Sequence, residues 1–445
     1  MDRKLLFGRR VIDGVSAVNS YPNDIVASSS IVITGKYIRC GRCNYVIDTK
    51  KTSLPNDNYY CPACIMLGRN STLTQFYHLP EVNQFKHQDN PLTWQGKLSV
   101  LQEKCSEEIT NCLATHQKHL LWAVTGAGKT EMLFNAINEA LKRNERIAIA
   151  SPRVDVCIEL FPRLQAAFAD IDMCLLHGRQ SEPYRYTQLT ICTTHQLLKF
   201  YHAFDNLIVD EVDSFPYADN QQLYFATENA VKVGGGILYL TATPGKKLLA
   251  RAKCGKLGIS YLPLRYHGYL LPEITVKLAP KMQGNLKNKK LPVSLARSIK
   301  QRYVKGQRFL LFVPRIADLS IIKVAIEKEI PGINCVTVHA ADADRLEKVK
   351  AMREEKISFL VTTSILERGV TFPGIDVLVL GADDSVFSAS ALVQIAGRVG
   401  RSSDRPTGDV LFWISEYAQN VRSAIHQIKF VNRKGRVIQR ELYDM

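Results

Sequence analysis

No apolar run in this chain of 445 residues approaches the ~18 residues that a membrane-spanning helix requires. The opening Met1-Asp2-Arg3-Lys4-Leu5-Leu6-Phe7-Gly8-Arg9-Arg10 also lacks an apolar core of signal-peptide length. Both absences argue against an integral or secreted protein, so the expectation is a cytoplasmic chain, at most peripheral to a membrane. Acidic residues are missing altogether between Glu273 and Asp318, while Lys277, Lys287, Arg297, Arg302 and Arg308 mark that stretch as basic. With 58 Lys and Arg against 42 Asp and Glu, the net charge of +16 favours a polyanionic partner through phosphate neutralisation. A second basic run lies in the tail, at Arg422, Lys429, Arg433, Lys434, Arg436 and Arg440. At 46% hydrophobic and 22% charged the chain is globular, and its length calls for two or three domains.

The eleven cysteines are odd in number and show little paired spacing, which in a reducing compartment argues against a disulfide framework and towards metal or structural thiols. The exception is a pair of CxxC units, Cys40-Gly41-Arg42-Cys43 and Cys61-Pro62-Ala63-Cys64, separated by 17 residues. Two such turns aim four thiolates at one centre, the closed tetrahedral shell of a structural Zn²⁺. An iron–sulfur cluster has the same ligands and stays open at this point. Arg39, Arg42, Lys36 and Arg69 surround the knuckles, so the module is either a nucleic-acid contact or a purely architectural one. Cys105, Cys112, Cys157, Cys174, Cys192, Cys254 and Cys335 read as buried apolar residues.

A phosphate-binding loop, Ala123-Val124-Thr125-Gly126-Ala127-Gly128-Lys129-Thr130, ends an apolar run and opens a helix expected from Glu131 to Leu141. Gly126 and Gly128 permit the tight turn, and the N–H groups of Thr125 to Lys129 face a polyphosphate at the positive end of the helix. Lys129 would bridge the β and γ phosphates of ATP, and Thr130 would hold Mg²⁺. Asp210 and Glu211 follow the apolar strand Leu207-Ile208-Val209, 81 residues after Lys129. Asp210 is expected in the Mg²⁺ shell, and Glu211 as the base that orients and deprotonates the attacking water.

From Lys97 onward, apolar runs alternate with helical periods, the pattern of parallel α/β domains. Strands are expected at 120–124, 146–150, 188–193, 206–209 and 236–240, and in a second set at 309–313, 334–339 and 358–362. The motifs fall at the C-terminal ends of these strands, where open parallel sheets place ligands.

In motif order the chain resembles superfamily 2 helicases. The resemblance implies that Gln102 reads adenine, that Pro152, Arg153, Thr193 and Thr194 grip a DNA backbone, and that Thr241-Ala242-Thr243-Pro244 couples hydrolysis to strand movement. The hydroxyls of Thr241 and Thr243 are expected to reach Asp210 and Glu211, and both residues are placed among the DNA contacts. In Thr362-Thr363-Ser364-Ile365-Leu366-Glu367-Arg368-Gly369-Val370-Thr371, Thr363 is assigned to DNA and Gly369 to the nucleotide, while Thr371 stands where relatives often carry aspartate. Gln394-Ile395-Ala396-Gly397-Arg398-Val399-Gly400-Arg401 is expected to bring a helix N-terminus close to a cleft. Arg401 is the expected arginine finger on the γ-phosphate, with Arg398 and Gln394 assisting.

A four-cysteine ribbon ahead of Leu92-Thr93-Trp94-Gln95-Gly96-Lys97-Leu98 and the phosphate loop resembles the ComFA family of competence ATPases, over nearly the whole chain. The implied architecture is α/β: two RecA-like parallel-sheet domains in tandem after a small zinc ribbon. Its expected divisions are an N-terminal segment (1–35), the zinc domain (36–70), a linker (71–96), the ATP-binding domain (97–270), a basic hinge (271–290) and a second motor domain (291–445). The resemblance implies a single-stranded DNA translocase at the inner face of the cell membrane. Its implied partners are a competence membrane channel and a phosphoribosyltransferase-like competence protein, with a homo-oligomer as a further option. Primosomal replication-restart helicases share motor and zinc, but their cysteines lie within the second motor domain, and only 44 residues follow Arg401 here. A non-catalytic DNA-binding scaffold is the alternative of another class, disfavoured by the presence of Lys129, Asp210, Glu211 and Arg401.

Overall fold

A computed structural model describes residues 2–178, 180 and 182–443. The chain divides into two compact units, residues 1–122 with 129–261, and residues 123–128 with 262–445.

The first unit is built on a seven-stranded sheet. Its strands run in the order Met173–Leu176, Leu189–Thr193, Ile147–Ser151, Phe204–Val209, Val231–Thr241, Lys118–Ala123 and Gly258–Leu262. The registered pairs from Met173–Leu176 through Lys118–Ala123 are parallel. Ile147–Ser151 and Leu189–Thr193 are buried at every position, as expected of strands covered by helices on both faces. The register sets Thr241 opposite Trp122 and Val209 opposite Tyr239, so the three strand ends that lead into the motifs lie side by side. The helix after the phosphate loop is broken at Leu133 into Lys129–Met132 and Phe134–Lys142, where one helix was expected.

Residues ahead of the motor are more structured than a segment and a linker. Val11–Gly14 and Val26–Ser29 flank Thr74–His78 in an antiparallel sheet, so residues on both sides of the cysteine module pair with each other. Between them, Ile31–Thr34, Tyr37–Cys40 and Val46–Asp48 form a small antiparallel sheet that carries the first knuckle.

This N-terminal part is fastened to the first sheet. Gly8 donates to Leu79 O and accepts from Tyr201 N, and Arg10 N donates to Lys199 O. A Cβ on Gly8 would stand 2.6 Å from Ala203, and its φ is +60°, so close backbone approach and conformation both require glycine. Beneath this seam lies Arg146, with no exposed surface. Its guanidinium donates to Glu81 Oε2 at 2.5 Å, to Tyr184 Oη at 2.7 Å, to Phe7 O at 3.1 Å and to Thr187 O at 3.2 Å. Both side chains of the Arg146–Glu81 pair are wholly buried.

The second unit holds a six-stranded sheet in the order Ile274–Leu278, Val410–Ile414, Asp376–Leu380, Phe309–Phe312, Phe359–Thr362 and Val336–Val338, with every neighbouring pair parallel. Its edge strand Ile274–Leu278 and the helix Met282–Lys287 occupy the stretch expected to be a basic hinge. A 25-residue helix, Gln419–Tyr443, closes the chain and carries the second basic run.

Removing one partner of a buried ion pair strands the other charge in a dry site, at about 3–5 kcal/mol. Glu81→Ala is therefore expected to lower the urea midpoint of the first unit's unfolding by an amount equivalent to that cost; an unchanged midpoint would contradict the role given to the pair.

Candidate nucleotide site and metal centre

The phosphate loop has the conformation its glycines predict. Gly126 and Gly128 have φ of +78° and +73°, values that a side chain would strain. Thr125 and Ala127 are buried, whereas Lys129 and Thr130 at the start of the helix are partly exposed. Ala123, where the general pattern has glycine, is a fully buried strand residue.

After the strand Phe204–Val209, Glu211 has φ +53°, a left-handed conformation that non-glycine residues adopt at a cost and that concentrates at functional sites. Its N–H donates to Asp210 Oδ1 at 2.8 Å, which turns the two carboxylates into one tight element. The threonines bond a third carboxylate of the same turn. Thr241 Oγ1 donates to Asp213 Oδ1 at 2.6 Å, and Thr243 Oγ1 donates to Asp213 Oδ2. The acceptor recorded for both is thus the last residue of Asp210-Glu211-Val212-Asp213, because the turn at Glu211 carries the chain back past Val212, whose N–H bonds Leu240 O. Asp213 had no assigned role; its spacing two residues beyond Glu211 was the available signal. Thr241 and Thr243 are themselves buried.

Gln102 sits at the third position of the helix Val100–Ala114, and its side-chain oxygen accepts from Ser99 N at 2.9 Å in a capping box. Of the expected DNA contacts, Pro152, Thr193, Thr194 and Thr363 are buried and Arg153 is partly exposed. Arg153 precedes the helix Val154–Ala167, and Thr194 N bonds Ser151 O.

In the second unit the expectation of a helix N-terminus at the glycines is reversed. The helix Ala389–Ala396 ends at Gly397, so Arg398 and Arg401 follow its C-terminus, the negative end of the dipole where cations are favoured. Arg398 is 1% exposed and donates to Glu367 O at 3.0 Å. Arg401 donates to Gly397 O at 3.2 Å and to Thr371 Oγ1 at 3.5 Å. Gln394 is buried on the helix, and Gly369 has φ +73° in the loop that also carries Arg368 and Thr371.

The four cysteines of the CxxC units converge. Their sulfurs all lie within 4.8 Å of one another, and the Cys40–Cys64 and Cys43–Cys61 separations are both 3.7 Å. A tetrahedron with Zn–S bonds of about 2.3 Å has edges of about 3.8 Å, so the spacing fits one ion and is too small to enclose a polynuclear cluster. Asn70 Nδ2 donates to Cys40 Sγ at 3.0 Å and to Ser30 O at 3.1 Å, holding the ligand from outside. Arg42, one of the basic residues near the knuckles, is buried and donates to Leu67 O and Gly68 O, an architectural use. Of the other seven cysteines, Cys254 is exposed, against expectation, because it caps the C-terminus of the surface helix Lys246–Lys253; the rest are buried. Structural zinc supplies folding free energy. Cys40→Ser protein is therefore expected to hold well under one zinc per chain by elemental analysis and to melt earlier than wild type; wild-type protein with iron, or with no metal, would contradict a zinc centre.

Two family models match the motor: "Type III restriction enzyme, res subunit" over residues 95–246 and "Helicase conserved C-terminal domain" over 290–403. Among solved structures, Dbp5 of S. cerevisiae bound to RNA and ADP BeF3 is similar in fold, with a TM-score of 0.55 and 14% identity over 75% of this chain and 88% of that one. Competence protein ComFA of Bacillus subtilis is 39% identical over 92% of this chain and 88% of its own length. Competence protein ComFA of Streptococcus pneumoniae is 40% identical over 89% and 90%. A superfamily 2 ATPase with two parallel α/β sheets and a four-cysteine module ahead of them, the chain belongs to the ComFA family of competence proteins.

Proposed function

We propose that this ATPase pulls single-stranded DNA into the cell during natural transformation, working at the inner face of the cytoplasmic membrane. The observation that carries this reading is the near full-length similarity to two competence proteins. The net charge of +16 supplies the counter-charge for a phosphate backbone.

In this reading the loop from Thr125 to Gly128 would cradle the phosphates of ATP, Lys129 would contact them, and Thr130 and Asp210 would hold Mg²⁺. The bound Mg²⁺ would neutralise charge developing on the phosphates. Glu211, pre-set by its left-handed backbone, orients and deprotonates the attacking water, and Gln102 faces the adenine. Arg401 stabilises the γ-phosphate charge, Arg398 and Gln394 support it, and Gly369 approaches the nucleotide. Pro152, Arg153, Thr193, Thr194 and Thr363 hold the strand. Thr241 and Thr243 tie movement of that strand to the acidic turn through Asp213. Zinc in the four-cysteine shell would be structural, since four protein ligands leave no position for water. The partners in this reading are single-stranded DNA, a competence membrane channel and a phosphoribosyltransferase-like competence protein.

Lys129→Ala is expected to abolish ATP hydrolysis while leaving DNA binding measurable by anisotropy. Loss of a general base typically costs 10²–10⁴-fold, so Glu211→Gln should turn over at least about 100-fold slower and retain ATP; rapid turnover would remove Glu211 as the base. Deleting the gene in its host should abolish transformation and leave resistance to DNA damage intact. Normal transformation with damage sensitivity would instead assign the chain to replication restart or repair.

A further inference from the structure

Arg265 lies in the segment between the two motor sheets and took no part in the site described so far. It is 3% exposed, yet no carboxylate pairs with it among the described residues. Its guanidinium donates to Gly400 O at 2.6 Å and reaches Gly397 O at 3.5 Å, while its Nε–H has no partner. Two neutral carbonyls do not offset a buried cation, which is costly unless it meets a counter-charge. Arg401 is a second positive charge in the vicinity. Arg401 also donates to the Gly397 carbonyl, and His267 Nε2 lies 3.0 Å from Gly400 O. Burial, and then the charge of Arg401, push the Arg265 guanidinium down to about 9.

The side chain runs alongside the phosphate loop. Arg265 Cγ, Cδ and Nε lie 3.7, 3.8 and 3.9 Å from the position a Cβ on Gly126 would occupy. On the same loop, Thr125 is 3% exposed and its hydroxyl is also without a partner. That hydroxyl lies 1.9 Å from where a Cβ on Gly397 would be, so only glycine fits there. A buried N–H and a buried hydroxyl, both unpaired and both beside the glycine loop, are the two groups an anion would satisfy.

The mounting of Arg265 is rigid. Arg265 N bonds Tyr269 O, Gly268 N bonds Arg265 O, and Tyr266 N bonds Gly126 O. Asn432 of the final helix holds Leu271 through both its N–H and its C=O, and Gln439 donates to Gly268 O. A cation fixed in this way has its ordering entropy already spent before a ligand arrives.

We infer that Arg265 is a second phosphate-binding arginine of the ATP site, contacting the nucleotide's phosphates beside Gly126 together with the Thr125 hydroxyl. The inference rests on the ATPase reading and adds a residue to it. A charge-assisted hydrogen bond of this kind corresponds to a loss of about tenfold or more in affinity when removed.

The test uses the full chain and Mg²⁺–AMP-PNP, read as a dissociation constant and as the shift in melting temperature that the nucleotide produces. Arg265→Gln should bind about tenfold or more weakly and show a smaller nucleotide-induced shift, whatever its melting temperature without nucleotide. A merely architectural Arg265 would lower that unliganded temperature and leave affinity within twofold of wild type, which overturns the inference. Should Arg265→Gln fail to fold, Arg265→Lys keeps the charge but loses the fork. Binding weakened threefold or more then supports the inference, and wild-type affinity overturns it. Wild-type protein that neither binds AMP-PNP nor hydrolyses ATP would remove the ATPase reading itself, a result distinct from a variant that binds as well as wild type.

Discussion

A parallel sheet buried on both faces has little room for charged side chains along its strands. In the first unit every residue of Ile147–Ser151 and Leu189–Thr193 is buried, so the polar chemistry is forced to where the strands stop. Sheet order then decides what meets what. Because Val231–Thr241 lies between Phe204–Val209 and Lys118–Ala123, the threonines at its end sit next to the acidic turn on one side and the strand of the phosphate loop on the other. The bonds from Thr241 and Thr243 to Asp213 are the local result. They make the acidic turn and the threonine segment one mechanical piece.

The cysteine module depends on the same sheet for its anchorage. Arg10 lies over the ring of Tyr201 at 3.5 Å and donates to Gly41 O in the first knuckle. Arg146 and Glu81 pin the neighbouring backbone from below. The N-terminal seam therefore connects a metal-held knuckle to a motor sheet through a few cationic and backbone contacts. This explains why the module does not need a large core of its own.

Much of this was legible in the sequence where chemistry or burial restricts the residue type. Cys40, Cys43, Cys61 and Cys64 had to be cysteine, Gly126 and Gly128 had to turn with positive φ, and the central strands had to be largely apolar. Legibility failed where tertiary pairing decides. Ile274–Leu278 is an edge strand with every position partly or fully exposed and Lys277 within it, so its composition reads as a basic hinge. Thr74–His78 is a strand only because distant segments pair with it on both sides. The direction of the helix before Gly397 was misread because glycines mark close approach without saying which helix end makes it. Arg265 gave no signal at all. Its surroundings at Gly126, Gly397 and Gly400 are set by folding, and a lone arginine in a loop is ordinary in a chain with 58 basic side chains.

The central proposal is that the chain is an ATPase driven along single-stranded DNA. Steady-state ATP hydrolysis by the purified wild-type chain, with and without single-stranded DNA, tests it most directly. The account predicts turnover that rises when single-stranded DNA is added and falls back as salt screens the phosphate contacts. Absence of hydrolysis under both conditions, in folded protein that still binds DNA, would contradict it and leave a DNA-binding scaffold.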